Sequence, residues 1–302
     1  MLSIVVLGAA AGGGVPQWNC GCPNCVAARQ DGSVRPSTQA SIAVSADGAH
    51  WFLVNASPDL RQQINATAAL HPEAGSRRNS PIAGVILTNG EVDAVAGLLS
   101  LREGAAFDLH AHPRVLDVLA ANSIFGVLDP SLVRRLPVAI DVPFEPALPG
   151  GRPSGLEVTA FAVPGKPALY LEAGERSEAG DTLGLSISSR GDGRRLVFLA
   201  ACAELTPEVR DRLAGADLVF FDGTLWRDDE LIVAAMGRKT GRRMGHLSMI
   251  EVLPALAGLD IGRRLFLHIN NSNPALAARS DERLAIERAG WEIPADGMEI
   301  TL

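Results

Sequence analysis

Three thiols stand close together, at Cys20, Cys22 and Cys25, in the run Asn19-Cys20-Gly21-Cys22-Pro23-Asn24-Cys25. In a C-x-C-x-x-C spacing, held by Gly21 and Pro23, three sulfurs can converge on one face of a tetrahedral zinc. No further cysteine is near enough to complete the shell. The fourth ligand must come from a distant part of the chain, so the ion would staple this loop to another region of the fold. Left as free thiols, cysteines this crowded would oxidise readily. The remaining cysteine, Cys202, lies in Leu199-Ala200-Ala201-Cys202-Ala203 and reads as a small buried hydrophobe.

A second set of polar residues closes apolar runs. Ile82–Leu87 breaks at Thr88-Asn89-Gly90 and is followed by Glu91 and Asp93. Asp222 ends a run that includes Leu218–Phe221, His246 precedes an apolar helical pattern at Met249–Leu256, and His268 follows Leu265-Phe266-Leu267. Each has an ordinary reading taken singly. Glu91 and Asp93 suit a helix start, Asp222 a turn, His246 a cap and His268 a satisfied core histidine. Polar ends on four apolar elements of one chain point instead to a shared site, since ligands bind beyond the carboxyl ends of strands in α/β sheets. His110 and His112, two apart, would share one strand face, where they could pair on a metal. His112 precedes Pro113 at a strand end, with a helix over Arg114–Asn122 behind it, so both histidines are read as polar edge residues.

The elements that must position these groups are mostly strands. Leu2–Leu7 is a first strand, followed by a glycine-rich loop, Gly8 to Gly14. That loop lacks the dinucleotide-binding spacing, and Val15-Pro16-Gln17-Trp18 starts no helix, so nucleotide binding is not expected. The glycines let backbone pass close to other groups. Ser41–Ser45 and Trp51–Val54 flank Ala46-Asp47-Gly48 as a hairpin. Ser57 and Pro58 read as N-cap and first residue of a helix running through Ile64. Arg134 to Leu171 gives short strands broken by Pro and Gly, with Val163-Pro164-Gly165-Lys166-Pro167 at one strand end. Asp181–Asp192 reads as strand and turn. A helix at Pro207–Leu213 separates the buried strands Leu196–Leu199 and Leu218–Phe221.

Composition narrows the classes. The chain has 302 residues, 47% hydrophobic and 20% charged, with a net charge of −7, enough for a large core. No basic run suggests nucleic acid. Only Met1 precedes the first strand, no signal segment follows, and no apolar stretch is long enough to span a bilayer. A soluble cytoplasmic protein is expected.

Together the stretches LGAAAGGGVPQWNCGCPNC, SIAVSADGAHWFLVNASPDLRQQI, ILTNGEVDAVAGLLSLREG, VPGKPALYLE, FFDGTLWRDDE, KTGRRMGHLSM and LHINNSNP resemble the metallo-β-lactamase superfamily, in its phosphodiesterase and ribonuclease Z branch. More closely they resemble the members that serve pyrroloquinoline quinone (PQQ) biosynthesis. The likeness covers nearly the whole chain. It implies one α/β domain over residues 1–302, an αββα sandwich of two mixed sheets flanked by helices, with the site at one edge.

The same resemblance sets the expected ligands. The superfamily's His-x-His-x-Asp-His loop reads Asn89-Gly90-Glu91-Val92-Asp93-Ala94 here, so only Asp93 survives. The PQQ members carry histidine at Ala94 and aspartate at Glu91. The third metal histidine is replaced at Gly165-Lys166, and the bridging aspartate near Cys202. His268 matches the last metal histidine, and Asp222 and His246 match the acid and histidine of the phosphodiesterase branch, expected to act near the substrate. A binuclear zinc hydrolase is not expected, since most of its ligands are absent. A single functional metal on Glu91, Asp93 and His268 is expected instead, Fe(II) or Mn(II) by its two carboxylates and one imidazole. Asn271, three residues after that histidine, is implied as the fourth ligand of the structural zinc. The implied activity is iron-dependent hydroxylation of the tyrosine-derived ring of the peptide-derived PQQ precursor. The alternative is a non-catalytic carrier for transport of PQQ or its precursor. Expected partners are that precursor, other PQQ biosynthesis proteins or a second copy of the chain, but neither nucleic acid nor membrane.

Overall fold

The computed structural model describes residues 1–171 and 177–302. The strands in chain order are β1 (Ser3–Gly8), β2 (Ser41–Ser45), β3 (Trp51–Val54), β4 (Ile82–Ile86), β5 (Phe107–Ala111), β6 (Val133–Pro137), the short pair β7 (Ala147–Leu148) and β8 (Arg152–Pro153), β9 (Leu156–Ala162), β10 (Leu183–Ser189), β11 (Arg195–Phe198), β12 (Ala216–Asp222), β13 (Ile261–Leu267) and β14 (Glu299–Thr301). One sheet runs β14-β1-β2-β3-β4-β5-β6 and the other β13-β12-β11-β10-β9. Both are mixed. The first is antiparallel from β14 to β3 and parallel from β3 to β6. The second is antiparallel from β9 to β11 and parallel from β11 to β13.

The core has three layers because both faces of each sheet are apolar. Val6, Ile42, Phe52 and Ile86 meet Leu185, Phe198, Phe220 and Leu265 between the sheets. Val5, Leu53, Val85 and Leu109 pack outward against helical segments through Leu60, Leu98 and Leu119. Val197, Val219 and Phe266 pack outward on the other side against Val209, Val252 and Trp291. This is why β4 and the Leu218–Phe221 run of β12 are apolar residue after residue, as strands covered on both faces are.

Several element boundaries differ from expectation. The helix expected from Pro58 begins at Leu60. Ser57 still organises the turn, accepting from Asp59 N at 3.2 Å and donating to Gln63 Oε1 at 3.0 Å. An unexpected helix, Pro23–Gln30, starts inside the cysteine run, with Pro23 in its first turn and Cys25 buried. His110 is not an edge residue. It lies in β5, between β4 and β6, and is 4% exposed. His112 lies beyond that strand and caps the helix Pro113–Ala121, accepting from Arg114 N through Nδ1 at 3.4 Å. None of the described helices is long and apolar enough to cross a membrane.

Two stitches close the sandwich at one edge. Leu183 N donates to Thr88 O at 2.9 Å, tying the loop after β4 to the start of β10. Ala11 N donates to Ile269 O and Ile269 N to Ala9 O, both at 2.9 Å, tying the glycine-rich loop to the end of β13. The carboxyl ends of β4, β12 and β13 are thereby gathered around one opening.

Candidate functional site

The parallel register of β12 and β13 sets Asp222 beside Leu267, so His268, one residue on, emerges at the level of Asp222. The backbone of His268 is left-handed, φ +59°, a sparsely populated conformation for a residue with a Cβ. From there His268 Nε2 lies 3.0 Å from Asp93 Oδ2, across from the first turn of the helix Val92–Val95. Gly12 passes directly over that carboxylate, and a Cβ there would stand 3.2 Å from Asp93 Oδ2.

Behind the pair is a buried polar knot. Asp222 is fully buried. Its Oδ2 accepts from Cys202 N at 3.0 Å and faces His246 Nδ1 at 2.8 Å. Its Oδ1 accepts from Thr224 N at 3.0 Å and Thr224 Oγ1 at 2.7 Å. His246 and His268 stack, with ring centroids 5.2 Å apart at 20°. Asp222, His246 and His268 each offer a ligand atom, all within 4.8 Å of one another. The distances show what draws them together, since Thr224 Oγ1 lies 3.0 Å from His246 Nδ1 and 2.8 Å from His268 Nδ1. These three residues therefore converge on a hydroxyl.

Electrostatics pairs Asp93 with His268. Burial alone would raise the Asp93 carboxyl, but the hydrogen bond and charge of His268, with His246 beyond, hold it below its usual range. Burial likewise disfavours the His268 cation, yet the bond and charge of Asp93, with Asp222 and Glu91 beyond, raise its pKa. Each thus favours the charged form of the other.

Glu91, expected as a third ligand beside them, is committed elsewhere. Its Oε1 takes Lys166 Nζ at 2.7 Å, and its two oxygens take Leu169 N at 3.2 and 3.1 Å. Tyr170 donates to Gly90 O at 2.6 Å. These contacts strap the segment after β9 over the loop after β4. Asp222 is also corrected in part. It does not line the opening, and reaches it only through His246 and Thr224. The opening is a cavity of about 670 Å³ walled by Asp93, His246, His268, Lys166 and Tyr170 among others. Ala94 lines it too and supplies no donor atom to a metal. Cys202 lies behind it, fully buried, its thiol pushed up to about 12 by burial and the Asp222 charge, which matches its reading as a hydrophobe.

The cysteine cluster lies at a separate place. The sulfurs of Cys20, Cys22 and Cys25 fall within 4.8 Å of one another. Asn271 adjoins them, with Nδ2 3.3 Å from Cys25 Sγ and 3.9 Å from Cys22 Sγ. A half-turn of that amide would present its oxygen instead. Asn24 Nδ2 fixes the neighbourhood by donating to Asn271 O at 3.0 Å and Asn273 O at 2.9 Å. Burial raises both Cys20 and Cys22. Hydrogen bonds from Cys22, Cys25 and Asn271 bring Cys20 below its usual value, while the neighbouring thiols leave Cys22 at about 11. Crowded sulfurs cannot all ionise without a cation to share.

Sequence reasoning missed Thr224, Tyr170 and the role of Lys166. Thr224 carries the one available signal, an Asp-Gly-Thr run closing a buried strand.

The two mixed sheets, with polar strand ends gathered at one edge, define a metallo-β-lactamase fold, and the model of the beta-lactamase superfamily domain matches residues 50–269. The chain is 64% identical to "Coenzyme PQQ synthesis protein B" of Rhodopseudomonas palustris (strain TIE-1), and 60% identical to the protein of that name from Bradyrhizobium diazoefficiens, each over the whole of both chains. Within the superfamily, the chain belongs to the coenzyme PQQ synthesis protein B family. Among solved structures, Zn(2+)-bound PqqB from Methylobacterium extorquens superposes with a TM-score of 0.94 at 48% identity, over 99% of this chain and 100% of that one. A diphosphatase of the PhnP family shares the fold, with a TM-score of 0.70 at 18% identity, over 100% of this chain and 98% of that one.

Proposed function

We propose that this chain catalyses a metal-dependent hydroxylation in PQQ biosynthesis, with Fe(II) as the functional metal and the tyrosine-derived ring of the peptide-derived precursor as substrate. One observation carries the reading. Asp93 Oδ2 and His268 Nε2, a hard oxygen and an imidazole nitrogen, face each other at 3.0 Å on the cavity wall. Two ligands about 2.1 Å from one ion and at right angles to each other stand about 3 Å apart, so the pair fits a shared cation in place of the shared proton. Asp93 and His268 would hold the metal. A carboxylate beside a single histidine favours Fe(II) or Mn(II) over a zinc site built on several histidines. Bound there, Fe(II) supplies the oxygen chemistry that no side chain can.

The chain's own groups do the rest. The cavity volume suits a bicyclic aromatic ligand. Leu169, Tyr170 and Val92 give it apolar wall against which an aromatic ring can lie. Asp222 holds His246 by Nδ1, leaving the opposite ring nitrogen to hold or release a proton where substrate sits. Cys20, Cys22, Cys25 and Asn271 serve a structural zinc, a reading supported by their convergence and by the Zn(2+)-bound relative.

A second reading, a carrier that binds PQQ or its precursor without turnover, has its own observation. Lys166 occupies Glu91, and Ala94 offers no donor, which leaves two protein ligands. Oxygen uptake by anaerobically purified protein, given Fe(II) and the precursor, separates the two. Hydroxylation predicts uptake that requires both additions. Saturable precursor binding with no uptake would establish the carrier.

A further inference from the structure

Thr224 carries one hydroxyl proton and has three close partners: Asp222 Oδ1 at 2.7 Å, His268 Nδ1 at 2.8 Å and His246 Nδ1 at 3.0 Å. Asp222 already accepts two backbone N–H groups, from Cys202 and Thr224. A fully buried carboxylate oxygen only accepts, so a contact of 2.7 Å between it and a hydroxyl requires the proton to lie between them. The Thr224 oxygen is then left with lone pairs alone, and His268 Nδ1 must be the donor. His246 needs no such help, because Asp222 Oδ2 takes its Nδ1–H directly at 2.8 Å.

We infer that Thr224 is a positioning residue of the metal-binding site: its hydroxyl relays the Asp222 carboxylate to His268 and holds a proton on Nδ1, so that the ring proton a cation displaces is the one Nε2 shares with Asp93. A buried carboxylate thus orients two stacked histidines, one directly and one through a threonine. The backbone is shaped for this. Gly223 passes so close to β13 that a Cβ would stand 2.8 Å from Phe266 Cβ and 3.1 Å from Leu267 O, and Gly223 N donates to Leu267 O at 2.7 Å. Thr224 is thereby drawn under His268 and is 5% exposed. Without its hydroxyl, His268 Nδ1 loses its acceptor. A neutral ring then keeps its one proton on Nε2, bonded to Asp93, so the two ligands satisfy each other instead of a cation.

The metal half of this inference rests on the reading of Asp93 and His268 as ligands, while the ring-proton half does not. The test compares the full-length protein with Thr224→Val, which removes the hydroxyl at nearly constant shape, and Thr224→Ser, which keeps it. Mn(II) affinity at the site, read by electron paramagnetic resonance in protein whose thiol site is filled with zinc, is expected to fall about 10- to 100-fold in Thr224→Val, the usual cost of losing an outer-shell partner. Thr224→Ser should recover most of it. Nitrogen-15 spectra of the His268 ring should show a bonded Nδ1–H in the unsubstituted protein and in Thr224→Ser, lost in Thr224→Val. Unchanged affinity with an unchanged ring spectrum in Thr224→Val overturns the inference. If that variant does not fold, an unprotonated His268 Nδ1 in the unsubstituted protein overturns it just as well. If the unsubstituted protein binds no Mn(II) near Asp93, the functional reading fails, and the ring spectra still decide the role of Thr224.

Discussion

His110 should make the stability of this protein fall steeply in mild acid. Its ring is buried in β5 and stacks on Phe144 at 5.1 Å, and its Nε2 finds no partner among the described residues. Burial lowers its pKa from 6.5 to about 4. Asp108 opposes the shift and Arg134 adds to it. The unfolded chain takes up a proton near pH 6.5, whereas the folded chain resists protonation until about pH 4. Between those values the unfolded state binds more protons, so stability rises with pH. The contribution is complete above pH 6.5 and is lost as pH falls toward 4. At about 1.4 kcal/mol per pH unit, the full window is worth about 3 kcal/mol, of which about 2 kcal/mol is gone by pH 5. Replacing His110 with Leu removes the titration and the unpaired nitrogen together, while the other titrating groups stay common to both proteins. Urea unfolding at pH 7 and pH 5 is the assay, with equal slopes required. The difference in stability between His110→Leu and the unsubstituted protein should move by about 2 kcal/mol in favour of the variant on going to pH 5. Parallel pH dependence in the two proteins would refute the argument.

Three further outcomes follow from the same structure. Glu91→Gln should leave Fe(II) affinity within about twofold and cost at most about 1 kcal/mol, because Glu91 serves a partly exposed ion pair with Lys166; calorimetric titration checks both, against Asp93→Asn, which should abolish binding. Ala94→His should raise Fe(II) affinity by about tenfold or more, since a third donor would then face the cavity; no gain would show that the wall at residue 94 cannot reach the ion. In protein loaded with zinc, Cys25→Ser should release the ion to a chelator and lower the melting temperature by several degrees, because metal binding at a thiolate site is folding free energy; elemental analysis with calorimetry is the measurement.

What could be read in the sequence was what lies in short runs. The three thiols lie close together in the chain, across a loop and the first turn of the helix Pro23–Gln30, so their meeting needs only local geometry. Asp222, His246 and His268 stood out because an acid or imidazole closing an apolar run is unusual whatever the fold. The contacts between distant segments were not legible. Glu91 lies 75 residues from the Lys166 that engages it, and composition alone does not distinguish a ligand carboxylate from an ion-paired one. His110 was misplaced because the alternation rule assumes one solvated face, while β5 is buried on both. Asn55, just ahead of the Ser57 helix start, carries no signal of its own in the sequence. Its left-handed backbone, φ 62°, lets its Oδ1 accept from Thr88 N at 2.9 Å, which sets the height of the loop that carries Asp93. Thr224 escaped notice because a hydroxyl reveals its role only once its partners can be counted.

The central claim is that Asp93 and His268 form the functional metal site of this chain. A crystal of anaerobically purified protein soaked in Fe(II), with anomalous scattering recorded at the iron edge, tests it most directly. The account predicts an iron peak between Asp93 Oδ2 and His268 Nε2, with Glu91 still on Lys166 and zinc confined to Cys20, Cys22 and Cys25. Iron at His110 and His112 or only among the thiols, with none between Asp93 and His268, would contradict it.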